Sequence, residues 1–139
     1  MKKFTIVAVL TAALVSPAAR AADVTEADFQ KAMKEVLGGM QAIGRTLREG
    51  TGELSGAAAG AKAIDAALAT TESYWVSHKV QDAVDMNKKA REAALAVVKA
   101  AESKDAAATA EAQKGLQAAC KPCHDAHREQ LPDKSYKIK

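Results

Sequence analysis

The sequence predicts an all-α protein, an up-down-up-down antiparallel four-helix bundle, and three observations predict it. Ala, Lys, Glu and Gln are abundant and aromatic residues make up only 4% of the chain, a composition that favours helix. Four segments of about twenty residues carry apolar side chains at intervals of three and four, joined by short polar breaks. No stretch alternates apolar and polar residues with the β-branched enrichment of a strand.

The first helix begins at "TEAD". Thr25 is its cap, and Asp28 lies in the first turn, where the helix dipole favours an acid. Its apolar seam is Phe29, Met33, Val36/Leu37, Met40, Ile43 and Leu47, and Gly50 and Gly52 stop it. Gly38, Gly39 and Gly44 cost helix stability and so point to a close approach or a kink. The second helix runs from about Ser55 to Tyr74, ending near Trp75, with Leu54, Ala57, Ala61, Ile64, Leu68 and Thr71 inward. The third spans about Val80 to Ala101, with Val80, Ala83/Val84, Ala90, Ala94 and Val97/Val98 inward. After the break "ESKD", Asp105 starts the fourth, which carries Ala108, Ala112, Leu116 and Ala119 inward and ends before Pro132. A polar tail, "DKSYKIK", closes the chain. So many inward positions are Ala that the core is expected to be under-filled, since each small side chain buries little apolar area.

The segment before these helices is of another kind. Lys2 and Lys3, an apolar run from Phe4 to Val15 and the triplet Ala19-Arg20-Ala21 form the pattern of a secretory signal peptide. The run is short for a membrane span. The expected division is a signal peptide over 1–21 and one domain over 22–139, exported to the periplasm and without stable membrane insertion once cleaved. Of the 20 Lys and Arg, Lys2, Lys3 and Arg20 lie in the signal, which leaves 17 against 17 Asp and Glu. The domain is formally neutral, with no basic field to argue for nucleic acid.

The two cysteines of the chain stand in "AACKPCHDAH", residues 118–127. A disulfide across two residues would constrain almost nothing, so these cysteines point to chemistry. Three chemistries use such a set. A dithiol redox site belongs near a strand-helix-strand pattern, which this chain lacks. A zinc site could recruit Cys120, Cys123 and His127, but a closed structural site wants four ligands and there is no second pair. Covalent haem attachment needs two thiols for the two vinyl groups of one porphyrin edge and an imidazole for the iron, which is the Cys-x-x-Cys-His pattern. Cys120 and Cys123 would form the thioethers of one haem c, and His124 would be the proximal ligand. An export signal and an Ala-rich core in want of a large apolar group favour this third reading. Pro122 lies between the cysteines and predicts a kink or a fresh helix start there.

With "AMKEVLGGMQAIGRTLREG" on the first helix, Trp75 before the third and "ACKPCHDAHREQLPDKSYKIK" at the end, the chain resembles the class II c-type cytochromes. This is the cytochrome c′ group, and the likeness is greatest to its small low-spin, Met-ligated members. The resemblance implies a haem on the C-terminal helix, a residue of the first helix on the other face of the iron, and one-electron transfer to a redox partner protein without substrate turnover. Met33 falls where the family places its distal residue, and it also lies on the inward seam with a soft thioether suited to haem iron. Met40 lies on the same face about 10 Å further along, and periodicity does not separate the two; Met86 reads as less inward. The resemblance also matches Arg128 to an arginine one turn past the proximal histidine, near a propionate or the iron. His127 reads as a surface or propionate-side group, because it cannot reach the opposite haem face from one turn away, and His78 sits in a polar junction. The alternative within the family is a five-coordinate protein that binds nitric oxide or carbon monoxide at an open distal face. Family members often form homodimers through the first two helices, which the Ala-rich second helix permits.

Overall fold

The computed structural model describes residues 23–139, so the signal-peptide reading of 1–21 lies outside the described residues. Four helices follow one another: α1 (Glu26–Glu49), α2 (Ser55–Ser77), α3 (Gln81–Glu102) and α4 (Ala106–His127). Among the described residues no helix is long and apolar enough to cross a membrane.

The local signals at the helix ends act as their chemistry dictates. The Thr25 side chain accepts a hydrogen bond from the Asp28 backbone N–H, and the Asp28 carboxylate accepts one from the Thr25 N–H, a reciprocal capping box. The Thr25 hydroxyl, donating to the same carboxylate at 2.6 Å, and then the Thr25 N–H hold the Asp28 carboxyl below its ordinary range. Gly50 ends α1 in the left-handed conformation at φ 61°. The Asp105 side chain caps α4 by accepting from the Ala108 N–H.

Each helix packs on its neighbours in sequence: α1 on α2, α2 on α3 and α3 on α4, whereas α1 and α4 barely meet. Neighbours run antiparallel. Lys62 bonds Glu102 while Thr71, nine residues later on α2, bonds Asn87, fifteen residues earlier on α3. α1 and α2 approach to backbone contact at Gly39 and Gly60, where a Cβ on Gly60 would lie 2.8 Å from the Gly39 carbonyl oxygen. Arg91 of α3 ties two turns of α2 together, donating to Asp65 at 2.8 Å and Glu72 at 2.9 Å, bonds that hold its guanidinium charged.

Ile43, Leu54, Ile64, Leu68, Val97, Val98 and Leu116 are the larger side chains of the main core, and alanines fill the rest. A second cluster at the other end joins Phe29, Tyr74, Trp75, Ala83 and Val84. The inward seams expected for α2 and α3 are buried, except that Val80 is half-exposed and Asn87 is buried among the α3 alanines. Three expectations need correction. Leu37 is 59% exposed, and Val36 alone faces inward at that turn. Ala108 is exposed and the neighbouring Thr109 takes the inward place, its hydroxyl satisfied by the Asp105 carbonyl at 2.6 Å. The end of the chain, expected as a polar tail without a strand, holds two: β1 (Arg128–Gln130) and β2 (Tyr136–Ile138) pair as an antiparallel hairpin. Ile138 seats on the second cluster and the Lys139 N–H donates to the His127 carbonyl at the end of α4.

Candidate haem site

α4 runs unbroken through Pro122, so no fresh helix start occurs at the motif. Pro122 and Ala118 are both exposed. The Ala118 carbonyl, which loses its i+4 donor to the proline ring, is therefore on the solvated side. Leu116, Cys120, Cys123, His124 and His127 recur at helical spacing on the opposite face. Leu116 is fully buried, and the other four are half-buried. On α1, Met33, Val36 and Met40 are half-buried in the same way. These methionines and Cys120 pack against the main core. Inward residues that stay partly exposed line both sides of the seam where α1 and α4 barely meet.

The register across that seam separates the two methionines. Gly44 of α1 faces Gln113 of α4; a Cβ on Gly44 would lie 3.5 Å from Gln113 Nε2. Eleven residues back along α1 is Met33, and eleven forward along α4 is His124. Both helices rise about 1.5 Å per residue, so the two stand at one level. A second marker agrees: the Trp75 ring lies 5.2 Å from Phe29 of α1 and 5.2 Å from His127 of α4, one turn beyond each. Met40 falls instead at the level of Gln117, about 10 Å away.

The electrostatics of the thiols bear on the dithiol redox reading. Burial pushes the Cys120 thiol up, and burial with the neighbouring Cys120 and Asp82 pushes Cys123 up to about 11. The motif also occupies the last two turns of α4, where the dipole opposes a thiolate. A dithiol redox centre needs the reverse, a thiol depressed at a helix N-terminus. At pH 8 roughly one Cys123 in a thousand is ionised, against roughly one in four for an ordinary thiol. Iodoacetamide should therefore label Cys123 of the folded, haem-free chain about twentyfold more slowly than the urea-unfolded chain, allowing for the greater nucleophilicity of a basic thiolate. Labelling at equal rates would return the redox reading. Among the described residues, no three His, Cys, Asp or Glu side chains gather as a protein-only metal centre requires. Burial, then the charge of Arg128, holds the His124 imidazole below its ordinary range against the opposing pull of Asp125. It is neutral near pH 7, the form that ligates iron.

The other expected residues lie as follows. Arg128 is exposed at the end of α4, its guanidinium stacked 4.0 Å above the Tyr136 ring. His127 is no free surface group: its side chain is only 14% exposed, packs on Trp75 and bonds Asp82 at 2.9 Å. His78 is exposed, stacked on Tyr74, with Nδ1 2.8 Å from the Tyr74 carbonyl. Met86 is half-buried.

Sequence reasoning missed two polar groups. The Asn87 amide donates to Thr71 Oγ1 at 2.6 Å but leaves its Oδ1 buried without a partner, and the buried Trp75 indole N–H likewise has none. Each such group costs about 1–3 kcal/mol. Asn87 gave a signal, a polar residue in the stripe of Ala83, Ala90 and Ala94; Trp75 gave none, because its burial depends on Phe29 and His127 arriving from distant segments. Comparison with protein-family models, characterised proteins and solved structures finds no match to this chain.

Proposed function

We propose that this chain is an exported class II-type cytochrome c, a periplasmic single-electron carrier with one haem c held by Cys120 and Cys123 and ligated by His124 and Met33. The observation that carries the reading is the juxtaposition across the α1–α4 seam. Two protonated thiols and a neutral imidazole share one inward face of α4, at the level of a half-buried thioether on α1. The haem, when bound, supplies the ferric–ferrous couple.

The polypeptide does the rest. Cys120 and Cys123 fix the porphyrin edge to a helix whose inward face is already set by Leu116. His124 presents a neutral ring nitrogen from the same turn. Met33 offers a soft ligand that favours the ferrous state relative to a second histidine. Holding both ligands in both oxidation states keeps rearrangement small with each electron. Arg128, anchored on Tyr136, contributes a positive charge near His124. The chain turns over no substrate of its own; its partner is another redox protein, met at the half-exposed face of residues 120–128.

Co-expression with haem-attachment machinery should give a coloured protein whose haem survives a denaturing gel, with low-spin ferric and ferrous spectra indifferent to carbon monoxide. A colourless product overturns the haem reading. A high-spin spectrum that responds to the gas keeps the haem and replaces the carrier by a protein that binds nitric oxide or carbon monoxide.

A further inference from the structure

Trp75 is the only tryptophan of the chain and is 3% exposed, yet its indole nitrogen is buried without an acceptor among the described residues. An indole N–H is a donor only, so the missing partner must accept. Among the described residues no acceptor lies within hydrogen-bond reach of it. Phe29 and Tyr74 stand edge-on to it at 5.2 Å, Ala83 and Val84 complete an apolar wall, and the His127 ring lies across it at 5.2 Å with Nε2 already on Asp82. Phe29 and His127 are one turn from Met33 and His124 on their respective helices. The Trp75 ring that carries the unpaired donor therefore stands about 6 Å along the bundle from the level of the two proposed iron ligands. Met33 itself packs against this same cluster.

We propose that Trp75 anchors a haem propionate, donating its indole N–H to the carboxylate from inside the Phe29–Tyr74–Trp75 cluster. This rests on the haem reading above. A propionate carboxylate is the strong acceptor a haem brings to its own periphery, and a charged acceptor bonds an N–H more strongly than a neutral one. The bond would satisfy in the loaded protein a donor that the chain alone leaves unpaired. It would also draw down the propionate charge felt at the iron, which disfavours the ferric state.

Trp75→Phe keeps the ring in its edge-on contacts and removes only the donor. In the holoprotein the propionate bending band of the resonance Raman spectrum, which rises with hydrogen bonding, should move down. The midpoint potential should fall. The haem-free protein should lose none of its resistance to urea beyond what the smaller ring explains. An unchanged propionate band overturns the proposal and leaves an ordered water as the partner of the indole. Should Trp75→Phe fail to fold, the tryptophan isostere with sulfur in place of N–H, incorporated at this one position, must give the same band shift; no shift overturns the proposal equally. Wild-type protein without haem bands would instead sink the haem reading itself.

Discussion

On the proposed haem reading, Met33→Ala should turn a low-spin protein indifferent to carbon monoxide into a five-coordinate one that binds it, while Met40→Ala should leave the spectrum low-spin. The two residues share a helix face and similar burial, so composition and periodicity treat them alike. They differ in level: Met33 stands opposite His124 and Met40 opposite Gln117. An axial pair must meet at one iron atom, and about 10 Å of axial offset is too far for a thioether to make up. Removing the Met33 thioether also lowers the potential, because its soft sulfur stabilises the ferrous state. Met33 is only half-buried, so the fold should lose less than the 2–5 kcal/mol typical of a fully buried methionine. Absorption spectra with and without carbon monoxide check the pair. A low-spin Met33→Ala together with a gas-binding Met40→Ala would reverse the assignment.

Gly39→Ala should destabilise the protein by about 2 kcal/mol, and Gly38→Ala, one residue earlier, should stabilise it by about 0.5–1 kcal/mol. In a helix interior alanine is the better residue by roughly 1 kcal/mol, so the sign depends on space alone. Gly38 is exposed with nothing near its Cβ position. A Cβ on Gly39 would come 2.6 Å from the Gly60 carbonyl oxygen and 2.5 Å from Ile64 Cγ1. The isoleucine could turn aside, but the carbonyl belongs to the α2 backbone and cannot move without parting the helices. Gly60→Ala meets the reciprocal obstacle, the Gly39 carbonyl at 2.8 Å and Ala42 Cβ at 3.1 Å, so the double variant should cost less than the sum of the two. Urea unfolding of the four proteins tests this; equal effects at Gly38 and Gly39 would show that the helices do not cross there.

Local chemistry made most of the fold legible. Thr25, Gly50 and Asp105 act within a few residues of themselves, and the buried stripes of α2 and α3 follow from helical period alone. Errors arose where two neighbours competed for one inward place: Val36 over Leu37, Thr109 over Ala108. A helix face is wider than a single residue, and only the partner helix decides. The hairpin was hidden because each strand has three residues, too few for alternation to register. The turn "LPDKS" was the available signal, with Ser135 bonding Asp133 inside it. The Cys-x-x-Cys-His set was legible as residue types. The level of Met33 was not, since it depends on how α1 and α4 align through two intervening helices.

Packing that runs mainly between sequence neighbours also governs how this chain reaches its fold. Each αα-hairpin forms by closing a short loop, so contact order is low and folding falls in the fast, microsecond-to-millisecond class. Bringing the first helix against the last is the one step that would need closure over the whole chain, with the largest loss of chain entropy, and here that step is largely omitted. The chain thus completes its three helix pairings while one flank stays accessible. A bulky group could enter sideways through that flank after folding, without the bundle first having to open.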